Sequence, residues 1–286
     1  MFGFLNVIKP SGITSHDVVA RLRKVLKIKQ IGHSGTLDPL ADGVLPIAVG
    51  KATRLLEFLP DDKSYRATLM LGYTSASYDV ESELEKVSDK KISELEFLAV
   101  LPKFRGEITQ IPPAFSAVHY NGKRLYELAR EGIIPDDIPK RNVFIQKLEL
   151  IDFDFVKQTA VLDISCSKGT YIRSIINDVG QELSVGAVMS NLTRTAAGNF
   201  AISQAVELDK ITTADEAQKC LINPLEVLSY KQNLLSDEEL AKVKNGSAIE
   251  NTGFEDGLNV SLVYNESLVA VAKVCGKLIK VSKVFL

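Results

Sequence analysis

The stretch GHSGTLDPLADGVLPIAVGKAT, residues 32–53, decides how the rest of the chain reads. Its first part is small or turn-forming, and Gly32, Gly35 and Gly43 leave the backbone free to turn. Pro39 stiffens the loop directly after Asp38. VLPIAVG then reads as a buried strand and KATRLLEFL as a helix. A carboxylate held in such a turn between apolar segments is what a presented catalytic group requires. The same composition also suits a strand connection in which Asp38 caps backbone amides. Neither the G-x-x-x-x-G-K-[ST] phosphate loop nor the G-x-S-x-G nucleophile elbow is spelled here. His33 alone reads as a hydrogen-bonded turn residue, and His16, His33 and His119 give no metal-ligand spacing.

Upstream, FGFLNVIKPSG reads as a short strand entering a Pro-Gly turn. Thr14 or Ser15 can cap a helix with Asp17 in its first turn, and Val18, Val19, Leu22, Val25 and Leu26 recur at helical spacing. Downstream, SYRATLMLGY reads as a strand, and residues 79–96 read as an acidic solvated loop leading into a helix. Residues 106–143 hold four of the ten prolines and one helical stretch near 123–130. A connection of that length in a compact domain is functional or disordered.

Strands return at VFIQKLELIDFDFV and TAVLDISCSKG, helical spacing covers 171–183, and AVMSNLTRTAAGNFAI mixes strand and turn. Strands and helices interleave without regular βαβ spacing, which predicts an α+β chain with a mainly antiparallel sheet. A break falls near INPLEVLSY, residues 222–230. Beyond it, LSDEELAKVKNG reads as a capped helix closed by Gly246, followed by three alternating strands. About 57 residues is small for an independent domain, so this tail is expected to pack against the main body.

The 286 residues suffice for one large domain, or one large and one small, and 45% hydrophobic with 24% charged residues is ordinary for a soluble protein. Cys166, Cys220 and Cys275 are widely spaced and form no C-x-x-C pair, so neither a disulfide framework nor a zinc site is supported. The first residues lack the basic and apolar regions of a signal peptide, and no run approaches ~18 apolar residues. The expectation is a cytoplasmic protein with no membrane contact.

A net charge of −2 does not advertise nucleic acid, but its distribution is uneven. Residues 1–60 carry 8 basic and 4 acidic side chains, and 101–147 carry 8 and 5, whereas 148–228 carry 6 and 11. That suits a basic face for phosphates on an acidic body, and equally a chance fluctuation along a solvated surface.

Three further pieces carry chemistry. In CSKGTYIRSIINDVG, Gly169 ends a strand while Tyr171 and Arg173 open a helix. An arginine at such a junction can reach across a sheet and grip a carboxylate bidentately, or form a surface salt bridge. Tyr65 begins a strand in DKSYRATL, and Leu192 in SNLTRT reads as core.

Together these pieces resemble the TruB family of tRNA pseudouridine synthases over nearly the whole chain. KPSGITSHDVV is similar to the family's K-P-x-G-x-[ST]-S block, and GHSGTLDPLADGVLPIAVGKAT to its catalytic block. KSYRA, IPPAFSAVHYNGKRLYELAREG, CSKGTYIRSIINDVG and LTRTAAGNF follow in the family's order. The resemblance implies the pseudouridine synthase fold for residues 1–229, a mainly antiparallel central sheet flanked by helices, with 106–143 as an RNA-gripping insertion. It implies a small β-rich, PUA-like module over 230–286.

The implied activity is isomerisation of uridine-55 in the T-loop of tRNA to pseudouridine, on a flipped base. Asp38 is the implied nucleophile and Arg173 its ion-pair partner, with His33, Tyr65, Tyr171 and Leu192 around the nucleotide. Lys123, Arg124, Arg130 and Arg141 are expected on the RNA backbone. Nothing is oxidised overall and no group is donated, so no cofactor is expected. The expected partner is the T-arm of tRNA, met by a monomer without a protein partner. Two other classes compete: an RNA-remodelling protein that does no chemistry, and a hydrolase of the N-glycosidic bond, which would usually need two carboxylates.

Overall fold

A computed structural model describes residues 1–135 and 137–286. The alternating apolar residues of the N-terminus build β1 (Gly3–Lys9), and the glycine-punctuated stretch builds β2 (Ile31–His33) and β3 (Asp42–Val49). Seven further strands join them: β4 (Lys63–Leu71), β5 (Gly106–Gln110), β6 (Arg141–Asp154), β7 (Thr159–Cys166), β8 (Ala187–Ala197), β9 (Phe200–Ala201) and β10 (Val206–Glu207). Together they form one ten-stranded sheet in the order β10-β1-β3-β8-β4-β7-β6-β5, with β2 on β3 and β9 on β8. Its pairs are antiparallel except β3 with β8 and β1 with β10. The α+β, mainly antiparallel expectation holds.

The continuous apolar run of β3 follows from burial on both faces. Leu45, Ile47 and Val49 pack with Leu5 and Val7 against Val18, Val19 and Leu22 of helix α1 (Ser15–Leu26). Val44 and Ala48 face Phe4 and Leu55 on the other side. Thr14 caps α1 in a capping box with Asp17, an arrangement worth about 1 kcal/mol. KATRLLEFL is helical as expected, but in 3₁₀ turns over Gly50–Phe58. No side chain caps its start, and Pro60 holds Leu59 extended, so the segment stops short of regular helix.

Helix α2 (Glu94–Val100) follows the acidic stretch as expected, but Asp79 at the head of that stretch is buried. Residues 106–110 and 141–145 pair with each other in the main sheet, so the excursion from it is shorter than 106–143 and spans 111–140. It contains a two-residue hairpin, His119–Tyr120 with Lys123–Arg124, and helix α3 (Leu125–Arg130). Helix α4 (Ile172–Glu182) lies on the sheet through Ile172, Ile175, Ile176 and Val179.

A second, five-stranded sheet begins at Lys231 and includes Asn259–Tyr264, Ser267–Cys275 and Leu278–Val284. The helix Asp237–Lys244 is capped by Ser236, and Gly246 follows it with a left-handed φ of 74°. This tail packs against the main body as expected. Phe285 stacks on Phe2 at 5.8 Å, the Tyr230 hydroxyl donates to the Phe58 carbonyl at 3.1 Å, and Leu268 and Val271 join the cluster around Phe4. Among the described residues no helix is long and apolar enough to cross a membrane.

Candidate active site

The loop carrying Asp38 connects β2 to β3 and rests on the N-terminal block. Ser15, itself buried, accepts from the Leu37 amide at 2.8 Å and donates to the Leu37 carbonyl at 3.2 Å. The Gly12 amide donates to Pro39 and the Ser11 hydroxyl to Leu40, each at 2.8 Å. The fully buried Lys9 ammonium donates to the carbonyls of Pro10, Ile13 and Pro39 at 2.9, 2.7 and 3.3 Å. Burial lowers the Lys9 pKa, partly opposed by the nearby Asp42 and Asp38. KPSGITS is thus the bed on which the Asp38 loop lies. The turn itself is closed by the Ala41 amide donating to the Asp38 carbonyl at 3.1 Å, which leaves the carboxylate for other work.

That carboxylate, 39% exposed, meets Arg173 of α4: its Oδ2 lies 2.9 Å from Nη2. The pairing is not the bidentate grip expected from sequence. The guanidinium, 7% exposed, is shared between two carboxylates, with Nη1 3.4 Å from Oδ2 of Asp79. Nη1 also donates to the Ser77 carbonyl at 3.0 Å and Nη2 to the Phe115 carbonyl at 3.1 Å. Asp79 is 2% exposed and is fixed through Oδ1 by the Ser77 hydroxyl and by the Glu81 amide at 3.0 Å. A fork spread over four acceptors is stiffer than one ion pair, because no single rotation releases it.

The pair opens into a cleft of about 870 Å³ whose walls include Tyr65, Tyr171, Glu81, Tyr126 and Arg130. A smaller lobe of about 100 Å³ lies beside Asp38, where Tyr65, Tyr171 and Leu192 converge. Burial raises the Tyr65 phenol above its ordinary range, so it keeps its proton. Burial, then the charges of Asp79 and Asp38, raise the Glu81 carboxyl. Tyr171, at the N-cap of α4, is held by Gln110 in a reciprocal pair: the Tyr171 amide donates to Oε1 at 2.8 Å and its carbonyl accepts from Nε2 at 2.9 Å.

Asp38, Arg173, Tyr65, Tyr171 and Leu192 therefore meet at one place. His33 lies next to Ser34 of the cleft wall. It belongs to β2, paired with Ile47, and is not among the side chains lining the cleft. Its Nδ1 is buried without a hydrogen-bond partner among the described residues, and burial lowers its pKa, with Arg194 adding to the effect.

Each of the four basic residues expected on the RNA backbone also has a contact within the protein. Lys123 pairs with Glu131 at 3.1 Å, and Arg124 donates to the Ala117 carbonyl at 2.6 Å. Arg141 sits 5.3 Å over the Tyr171 ring and donates to the Gly169 carbonyl at 3.3 Å. Of the four, Arg130 alone lines the cleft, 5.4 Å over the Tyr126 ring. Among the described residues no group of three His, Cys, Asp or Glu side chains is placed to hold a metal ion.

Residues 23–172 match the family model "TruB family pseudouridylate synthase (N terminal domain)", which covers more than half of the chain. The chain belongs to the TruB family. Residues 173–229 of this TruB-family chain match a second model, "tRNA pseudouridylate synthase B C-terminal domain". It is 42% identical to tRNA pseudouridine synthase B of Lactobacillus johnsonii, over 96% of this chain and 95% of that protein. The protein of the same name from Carboxydothermus hydrogenoformans is 41% identical over 100% and 99%. Among solved structures, the Cbf5-Nop10-Gar1 complex contains a chain 27% identical with a TM-score of 0.76, covering 100% of this chain and 85% of that one. An H/ACA RNP bound to a substrate RNA containing 2'-deoxyuridine matches at 27% identity and a TM-score of 0.74, with the same coverage.

Sequence reasoning missed Asp79, Gln110 and Arg194. Ser75 and Ser77 precede Asp79, and such hydroxyls suit a buried hydrogen-bonded turn, but Glu81, Glu83 and Glu85 follow it and mask that signal. Nothing local marks Gln110, whose role exists only once β5 lies against the start of α4.

Proposed function

We propose that this TruB-family chain converts uridine-55 in the T-loop of tRNA to pseudouridine, with Asp38 as nucleophile acting on an extruded nucleotide. The observation that carries the reading is the Asp38–Arg173 pair at the floor of a cleft with a side lobe. The reaction breaks N1–C1′, turns the uracil and joins C5 to C1′. The C5 proton leaves, N1 gains one, and no oxidant or group donor enters.

Each wall has a part in this. Arg173 holds the Asp38 carboxylate toward the cleft. Extruding the base costs a few kcal/mol, and stacking on Tyr65 returns about 1–3 kcal/mol. Tyr171 and Leu192 close the lobe and keep the detached uracil beside C1′. The tRNA substrate rests on the name carried by the relatives. The division into a catalytic domain, 1–229, and a PUA-like module, 230–286, is supported by the break between the two sheets. The protein acts as a cytoplasmic monomer, without cofactor or protein partner.

Besides Asp38 the cleft is lined by the carboxylates of Asp61, Asp79 and Glu81, so N-glycosidic hydrolysis is the competing chemistry. One experiment separates them. Purified protein is incubated in EDTA with a T-stem-loop hairpin, and the product is mapped while free uracil is measured. Conversion at the single T-loop uridine without released uracil is expected. Stoichiometric uracil would overturn the isomerase reading, and modification of ribosomal RNA with none of the hairpin would remove the tRNA assignment.

The excursion 111–140 grips the RNA backbone in this reading. Replacing Lys123, Arg124 and Arg130 together with alanine should raise KM and lower the slope of log K against log salt. Arg130→Ala alone should account for about one unit of that slope, because Arg130 is the one of the three that lines the cleft. Salt titrations of the single and triple variants check this, and an unchanged slope in both would place the phosphate track elsewhere.

A further inference from the structure

Arg194 is one of the largest fully buried side chains, 1% exposed, and among the described residues no carboxylate pairs with it. It lies on β8 where that strand touches both sides of the site, opposite Gly43 of β3 and opposite Tyr65 of β4. The approach on the β3 side is close. A Cβ on Gly43, which has φ of +102°, would come within 2.3 Å of the Arg194 carbonyl oxygen. The register of β8 shifts directly after Arg194, an irregularity of the kind that re-aims a side chain.

The guanidinium runs beneath the loop that carries Asp38. Nε donates to the Val44 carbonyl at 2.7 Å, Nη2 to Gly35 at 3.1 Å and Nη1 to Thr36 at 3.3 Å. These oxygens lie on both flanks of the Asp38 turn. The same guanidinium faces the Tyr65 phenol, where it opposes the upward push of burial on that group. A buried cation without a counter-ion is a costly way to pin a loop. What distinguishes this one is that a single rigid plane holds the backbone presenting Asp38 and also interacts with the phenol of Tyr65, the residue opposite it on β4.

We propose that Arg194 is a positioning residue that sets the distance and orientation of Tyr65 relative to Asp38 across the cleft. The inference rests on the isomerase reading above. Its test uses the full chain with Arg194→Lys, Arg194→Met, Tyr65→Phe and the Arg194→Lys/Tyr65→Phe double variant. The readouts are kcat and KM on the T-arm hairpin, thermal melting, and ultraviolet titration of the phenols, with Tyr65 isolated by subtracting the Tyr65→Phe curve.

Arg194→Lys, keeping the charge but not the three-carbonyl fork, should lower kcat about 10²-fold with KM within about threefold and a cooperative melt. The double variant should fall no more than about threefold below the poorer single, since both changes disturb one geometry. In Arg194→Met the Tyr65 titration should move to higher pH. A kcat loss that disappears at temperatures where the variant is fully folded, or multiplicative losses in the double variant, would make Arg194 a purely structural residue and overturn the proposal. If Arg194→Met does not fold, the Arg194→Lys kinetics decide. Absence of pseudouridine from the parent protein would instead refute the function, and the Tyr65 titration would still report on Arg194.

Discussion

Asp38→Asn is expected to abolish turnover, lowering kcat by at least about 10⁴-fold, while tRNA affinity stays within about tenfold. The asparagine keeps the shape of the side chain and an oxygen for Arg173 but lacks the anionic nucleophile. Folding should survive, because the loop is held through its backbone by Ser15, Gly12 and Lys9 and not by the carboxylate. Arg173 retains Asp79 and the carbonyls of Ser77 and Phe115. The check is single-turnover pseudouridine formation beside a binding titration, with deamidated protein removed. Multiple turnover by the pure variant would refute the nucleophile.

The second large effect is expected at Arg173. Arg173→Lys keeps the charge, yet kcat should fall about 10²-fold with KM changed only a few-fold. A single ammonium cannot span Asp38 and Asp79 while also serving the two carbonyls that the two terminal nitrogens of Arg173 now reach. Asp79 is buried and would lose part of its compensation, so the melting temperature should fall as well. Steady-state kinetics on the hairpin, at a temperature where the variant is folded, separate the two effects. A near-normal kcat would mean that Arg173 only stabilises the fold.

Much of this architecture is local and was readable as such. The Thr14 cap, the periodicity of α1, the apolar run of β3 and the Gly-Pro setting of Asp38 each depend on residues close together in the chain. Asp79 was hidden because its burial is a tertiary event. Its partner lies far along the sequence, and the neighbouring Glu81, Glu83 and Glu85 made the segment read as a solvated acidic run. The limits of the excursion also needed the fold, since 106–110 and 141–145 reveal their pairing only through register.

His33, which the resemblance places near the nucleotide, ends β2 just before the chain enters the Asp38 loop. Arg141 is expected on the RNA backbone; its guanidinium also lies over the ring of Tyr171, a contact that charge counting cannot reveal.

The most direct measurement is pseudouridine mapping across the tRNA of cells with and without this protein, complemented by the parent chain and by Asp38→Asn. The account predicts that T-loop uridine-55 is unmodified in the deleted cells, that the parent restores pseudouridine there, and that Asp38→Asn does not. Undiminished pseudouridine at that position in the deleted cells, or full restoration by Asp38→Asn, would contradict it.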